Sequence, residues 1–394
     1  MTILNLVNRC FVLSFVGSLG LASVLYSQER PASPQRPEAT PPARPVTPPP
    51  VISPELLADR RVTFRVRAPK ANEVTVSGEW GGTPQALTKD EQGIWSATIG
   101  PLAPEIYGYN FNVDGLRMAD PGNSALKPMR SPTTSILEVP GQPPLLHEFQ
   151  DVPHGTVRHH WYASKSLGVR RSLHVYTPPG YDKETQARYP VLYLFHGSGD
   201  NDGTWAVLGR AHLILDNLLA QGMVKPMIVV MTDGHAALPQ VTGGVTANTI
   251  SRNVEDFGRD LLKDVLPFVE ASYRVKKERT QRAIAGLSMG GGQSLTIGLN
   301  HLDLFAWVGG FSSFLRNPET TIAKALADAK GTNEKLKLLW IACGKDDRLV
   351  EQAQQMSALL KQKDIRHEFL ATAGNHSWPV WRRYLADFAP LLFR

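Results

Sequence analysis

Apolar and polar positions alternate with a period of two in Val62-Thr63-Phe64-Arg65-Val66, Val74-Thr75-Val76, Trp95-Ser96-Ala97-Thr98-Ile99 and Tyr107-Gly108-Tyr109-Asn110-Phe111-Asn112-Val113. Runs of this kind, separated by Gly, Pro and Asp turns, predict half-buried antiparallel strands and hence a small immunoglobulin-like β-sandwich over residues 55–140. From about residue 165 the pattern changes. Near-continuous apolar runs appear at Val191-Leu192-Tyr193-Leu194-Phe195, Met227 to Met231, Arg282 to Gly286 and Leu338 to Cys343. Among them, Asn253 to Tyr273 places Phe257, Leu261, Leu262, Val265, Phe268 and Val269 on one helical face. Buried strands with helices between them predict a mostly parallel sheet covered on both faces over residues 165–394, with 141–164 as a connector.

The N-terminus reads differently. Arg9 precedes an apolar run from Cys10 to Tyr26, and the polar Ser27-Gln28-Glu29 follows it, which predicts a signal peptide over residues 1–27 and a secreted or periplasmic protein. Residues 28–54 are dense in Pro and poor in large apolar side chains, the composition of an extended tether. No other stretch is long enough to span a bilayer, so no stable membrane association is expected after signal cleavage. The 394 residues carry a net charge of only +6 with the two signs interspersed, which excludes a basic stripe for nucleic acid. Of the two cysteines, Cys10 falls in the leader, so Cys343 is left without a disulfide partner and reads as a small core residue.

Candidate chemistry centres on Gly286-Leu287-Ser288-Met289-Gly290, a G-x-S-x-G pentapeptide between a buried strand and a helix-compatible run to Leu299. In that strand–turn–helix setting the glycines leave room for a sharp turn that presents Ser288 as a nucleophile. A serine hydroxyl needs a base and an acid that orients the base, and in an α/β-hydrolase both follow the serine along the chain. Three histidines do so. His301 ends the nucleophile's helix and His367 lies in a strand-like run, whereas His376 sits in the loop Ala373 to Trp378 before an amphipathic C-terminal helix, the place expected of the base. Gly344-Lys345-Asp346-Asp347 follows the strand ending at Cys343, and the spacing favours Asp347 as the acid over its neighbour Asp346.

The oxyanion of a tetrahedral intermediate needs amide donors, expected from Met289 and from Ser198 in the glycine-rich turn His196-Gly197-Ser198-Gly199. His196 then braces that loop. Trp205 and Trp378, and less directly Trp381, are candidate aromatic walls for a substrate ring. No His, Cys and acid spacing matches a metal site and no cofactor is implied.

Taken together, His196-Gly197, Gly286 to Gly291, Asn300-His301-Leu302-Asp303-Leu304-Phe305, Ala342 to Asp347 and Gly374-Asn375-His376 resemble the feruloyl and acetylxylan esterases of carbohydrate esterase family one, over about residues 155–394. Carried over residue by residue, the resemblance implies the triad Ser288, Asp347 and His376 with oxyanion amides at Ser198 and Met289. It departs at Lys345-Asp346, where feruloyl esterases often carry Thr-Asn, which leaves the acid open between Asp346 and Asp347. Val62 to Pro69, Val76 to Trp80, Gly93-Ile94-Trp95 and Tyr107 to Pro121 are similar to the early-set, isoamylase-N-terminal-like carbohydrate-binding module, with Trp80 as a candidate sugar contact. The pairing implies a polysaccharide-linked ester as substrate, with ferulate on arabinoxylan foremost. An acetylxylan or general short-acyl esterase fits the same residues, and a glycan-binding protein with an inactive hydrolase domain is the alternative of another class.

Overall fold

In the computed structural model, which describes residues 49–236 and 247–394, the period-two runs form two packed antiparallel sheets. Strands β1 (Val62–Arg67) and β3 (Ile94–Ile99) pair in one; β2 (Val74–Gly78) and β5 (Ser135–Val139) pair with β4 (Glu105–Val113) in the other. Alternation decides what meets inside: Val62, Phe64 and Val66 pack against Val74, Val76, Tyr109 and Phe111. The expected leader (1–27) and most of the expected linker (28–54) lie outside the described residues.

The second sheet has eight strands: β6 (Thr156–Ser164), β7 (Val169–Thr177), β8 (Val191–Phe195), β9 (Ile228–Thr232), β10 (Arg282–Leu287), β11 (Trp307–Phe311), β12 (Leu338–Gly344) and β13 (Glu368–Thr372), in the order β6-β7-β9-β8-β10-β11-β12-β13. β6, β7 and β9 pair antiparallel, and every pairing from β9 to β13 is parallel. The sheet therefore starts at Thr156, inside the stretch expected to be a connector. β6 is an edge strand with few fully buried positions, so its sequence lacks the apolar run that marks the inner strands. β11 lacks such a run as well, because its WVGGF carries two glycines.

Within β8, Val191, Tyr193 and Phe195 face one core, and Leu192 and Leu194 face the other. Helices α2 (Ala247–Asp260), α3 (Met289–Asn300) and α4 (Val350–Gln362) cover the first face; α1 (Ala211–Ala220) and α5 (Trp378–Phe388) cover the second. The helical run expected from Asn253 to Tyr273 contains a π-helical turn at Leu261–Val265, which shifts the face by part of a turn. As a result Phe257, Leu261, Val265 and Val269 are buried, while Leu262 and Phe268 are only partly so.

Residues 50–394 form one compact unit. Ile106 and Ile136 of the sandwich join the core beneath α1 and α5, and each such burial stabilises by roughly 1.5–3 kcal/mol. Arg382 of α5, 2 % exposed, donates from Nη2 to Glu105 Oε1 at 2.9 Å and from Nη1 to the Leu208 carbonyl at 2.7 Å. Burial alone would raise the Glu105 carboxyl, but His147 Nε2, 3.0 Å away, and Arg382 override it and hold it at about 2. A folded value below the ordinary 4.5 means stability that is present above about pH 4.5 and lost as pH falls toward 2. The expected result is an unfolding free energy, from urea titration, that drops across that window by up to about 3 kcal/mol, and a flatter profile in Glu105→Gln.

Candidate active site

Strand β10 ends at Leu287 and helix α3 begins at Met289, so Ser288 occupies the turn between them with φ +51° and ψ −115°, a conformation that non-glycine residues rarely hold. Its backbone is fixed on both sides: the Ser288 amide donates to the Phe311 carbonyl at 2.8 Å, and the Ser288 carbonyl accepts from Gly292 and Phe314. A Cβ on Gly290 would lie 2.4 Å from the His196 carbonyl oxygen, so only glycine lets the two loops touch.

The three chain-distant groups meet at the C-terminal edge of the sheet. Ser288 Oγ lies 3.0 Å from His376 Nε2, and His376 Nδ1 lies 2.8 and 3.0 Å from the two oxygens of Asp347. Two carboxylate oxygens at Nδ1 fix the tautomer: Nδ1–H donates to Asp347, which leaves Nε2 to accept the serine proton. Asp347 is 2 % exposed and accepts the Leu349 amide at 2.9 Å. Its burial raises the carboxyl, yet the His376 ring and the other donors outweigh that and leave it below the usual range, ionised and able to orient the imidazole. Asp346 points away; it is exposed and accepts from the Gly374 amide at 3.3 Å. His301 caps the end of α3, and His367 bonds Ser357 at 2.8 Å, each remote from the serine in the hydrogen-bond network.

The loop after β8 lies against the serine. A Cβ on Gly197 would come 3.4 Å from Ser288 Cβ and 2.7 Å from Leu287 Cδ1. Met289 is the first residue of α3, where an amide has no partner within the helix, and Ser198 is exposed beside Gly197. His196, 1 % exposed, accepts the Gly234 amide at Nε2 (2.9 Å) and reaches its neighbour's carbonyl through Nδ1 (2.8 Å). His235 accepts the Gly199 amide at Nε2, 3.0 Å, and desolvation pushes its pKa down to about 4, so it stays a neutral acceptor near neutral pH.

The two tryptophans expected to contact substrate, Trp205 and Trp378, are core residues instead. Trp205 and Trp378 are each 1 % exposed and meet edge to face at 5.0 Å; Trp205 Nε1 donates to the Phe195 carbonyl. Neither ring has a free face, because both sit where α1 and α5 close over the sheet. Trp80, half-buried, packs on Phe64, Tyr107 and Tyr109 at the edge of the sandwich core. Trp381 stands edge to face on His376 at 4.9 Å and so fixes the ring's position. Cys343 is buried, and desolvation with the nearby Asp347 pushes its thiol up to about 12. Among the described residues, His159, His174 and Asp202 are a group with metal-ligating side chains close together. Their imidazoles stack 4.4 Å apart at 13°, so the in-plane nitrogen lone pairs run side by side instead of converging on one point.

A mostly parallel sheet with a hydroxyl, an imidazole and a carboxylate in line at its C-terminal edge defines an α/β-hydrolase. The chain belongs to the putative esterase family, whose model matches residues 164–392, which places it among the carboxylic ester hydrolases. It is 34 % identical over 342 residues to an endo-1,4-beta-xylanase/feruloyl esterase of Xylanibacter ruminicola, a match that covers 84 % of this chain and 44 % of that protein. A solved ferulic acid esterase superposes with a TM-score of 0.52 at 26 % identity, covering 60 % of this chain and 97 % of its own. The fold of the enterobactin esterase of Shigella flexneri superposes more broadly, with a TM-score of 0.60 at 20 % identity over 84 % of this chain and 92 % of that one. This chain spans less than half the length of the Xylanibacter protein.

Proposed function

We propose that this protein hydrolyses carboxylic esters through Ser288 and that its substrates are ferulate-type hydroxycinnamates esterified to plant cell-wall polysaccharide of the arabinoxylan kind. The observation that carries the chemistry is the hydrogen-bonded line from Ser288 Oγ through His376 to Asp347. Ser288 Oγ attacks the ester carbonyl while His376 Nε2 takes its proton. Asp347 stabilises the imidazolium, and the amides of Ser198 and Met289 receive the oxyanion. As the carbonyl reforms, the polysaccharide alcohol departs with the proton from His376 and leaves an acyl-serine. Water, deprotonated by His376, then releases the acid and frees Ser288.

The acyl preference rests on the feruloyl esterase activity of the relatives and on the family resemblance, not on a pocket. An acetyl or other short-acyl preference is therefore the second reading, and turnover on methyl ferulate compared with acetylated xylan separates the two. Preferred turnover of methyl ferulate is the expected outcome; activity on acetylated xylan alone overturns the hydroxycinnamate reading. Export by an N-terminal signal over residues 1–27 belongs to the same proposal. No described helix is long and apolar enough to cross a membrane. The sandwich as a glycan-binding module is part of it too; Trp80, half-buried, rests on Phe64 and Tyr109 at the edge of the sandwich core.

A further inference from the structure

The loop after β8 and the loop carrying His376 are both gripped from outside the hydrolase sheet, by residues of the N-terminal sandwich. Asp200, two residues past Ser198, is 3 % exposed, and its Oδ1 lies 2.7 Å from Lys127 Nζ. Lys127 is itself tied to the sandwich, its amide donating to the Thr134 carbonyl at 2.9 Å. The following residues run along the same loop: Met129 and Asp200 form an antiparallel bridge, the Arg130 amide donates to the Gly199 carbonyl at 3.0 Å, and Thr204 Oγ1 donates to the Pro128 carbonyl at 2.7 Å.

On the other side of the site, Glu79 receives two amides. Trp378, the first residue of α5 and two residues past His376, donates to Oε1 at 2.9 Å; Gly108 of β4 donates to Oε2 at 2.7 Å. A carboxylate at a helix N-terminus is favoured by the orphan amides and the helix dipole. The two grips converge, since Lys127 Nζ lies 5.7 Å over the Trp378 ring, which in turn abuts Trp205 behind the Ser198 loop.

We propose that the sandwich is part of the catalytic apparatus, with Lys127 and Glu79 as positioning residues that hold the Ser198 loop and the start of the His376 helix at the distance ester hydrolysis requires. This rests on the reading of Ser288, His376 and the Ser198 amide given above. The physical reason is local. A buried carboxylate stripped of its ammonium partner is strongly destabilised unless the backbone moves to bring in water. Here the backbone that would move carries an oxyanion donor, and displacement of one such donor by about 1 Å costs on the order of 10²-fold in rate.

The test uses the full chain and a small soluble ester, methyl ferulate or p-nitrophenyl acetate, that cannot engage a glycan-binding surface. Lys127→Met keeps the stem and removes the charge. It is expected to lower kcat about 10- to 100-fold with KM changed less than about threefold, and to slow fluorophosphonate labelling of Ser288 in parallel. Lys127→Arg is expected to restore most of kcat. In the double variant with Asp200→Asn the loss is expected to be smaller than the product of the single losses, because no unpaired carboxylate remains. Lys89→Met, at a sandwich lysine that donates to the Pro69 and Ala71 carbonyls and lies over the Trp95 ring, serves as the control and is expected to leave kcat unchanged.

If Lys127→Met does not fold, Asp200→Asn gives the same reading with an isosteric side chain. A folded Lys127→Met with kcat within twofold of the parent overturns the proposal. So does a loss of kcat that only follows the unfolded fraction and is not repaired by arginine. Failure of the underlying reading looks different, because the unsubstituted protein would then neither turn over ester nor label at Ser288.

Discussion

Ser288→Ala is expected to reduce kcat on a carboxylic ester by at least about 10⁴-fold, leaving only what oxyanion donors and substrate binding supply. The hydroxyl oxygen is the sole atom removed, and the elbow's fixing bonds run through the backbone, from Ser288 N to Phe311 O and from Gly292 and Phe314 to Ser288 O. The melting temperature is therefore expected to hold. The fold loss belongs to chemistry if KM changes little, since attack and proton transfer involve atoms that engage only on the way to the transition state. Labelling by a fluorophosphonate should vanish with the hydroxyl. Retention of more than about 1 % of the parent rate would place the nucleophile elsewhere and sink the assignment.

Asp347→Asn is the second large effect, expected at about 10⁴-fold in kcat, with Asp346→Asn costing less than about threefold. The contrast follows from geometry. An asparagine amide at 347 offers a donor to His376 Nδ1 where both carboxylate oxygens now accept, at 2.8 and 3.0 Å. The imidazole would then carry its proton on Nε2, facing the Ser288 hydroxyl, and could no longer accept from it. Asp346 is exposed and touches only the Gly374 amide by its carboxylate, so its neutral analogue loses one weak contact. Equal losses in the two variants would mean that the loop, not the carboxylate, is what matters.

Much of this was legible along the chain. Period-two alternation marked β1 to β4 because one face of each packs inside the sandwich, although Ile106 on the other face of β4 is buried against the hydrolase core. Continuous apolar runs marked β8, β9, β10 and β12 because helices cover both faces. The edge strand β6 was silent because most of its positions are exposed or half-buried, and β11, buried throughout, because two glycines interrupt its apolar run. Between the adjacent aspartates the spacing favoured Asp347 without excluding Asp346, since which of two neighbours in a turn faces inward depends on the loop that closes over it.

The aromatic side chains show where sequence reading fails in kind. Trp205 and Trp378 lie close in sequence to Gly197 and His376, and proximity along the chain suggested a cleft wall. Three-dimensional packing turns both rings away from solvent and against each other, while Trp381, one helical step further, is the ring that touches His376.

The sequence by itself determined the two architectures, the elbow at Ser288 and the order of its partners, because strand burial, glycine-dependent turns and chain order are local or one-dimensional properties. Only the tertiary structure decided that Asp347 and not Asp346 meets His376, that the tryptophans are core, and that Lys127 and Glu79 of the sandwich reach the two loops beside Ser288. Those are contacts between residues as far as 299 positions apart, made by side chains whose types are unremarkable where they stand, and no pattern along a chain encodes which distant loop a lone lysine or glutamate will pin.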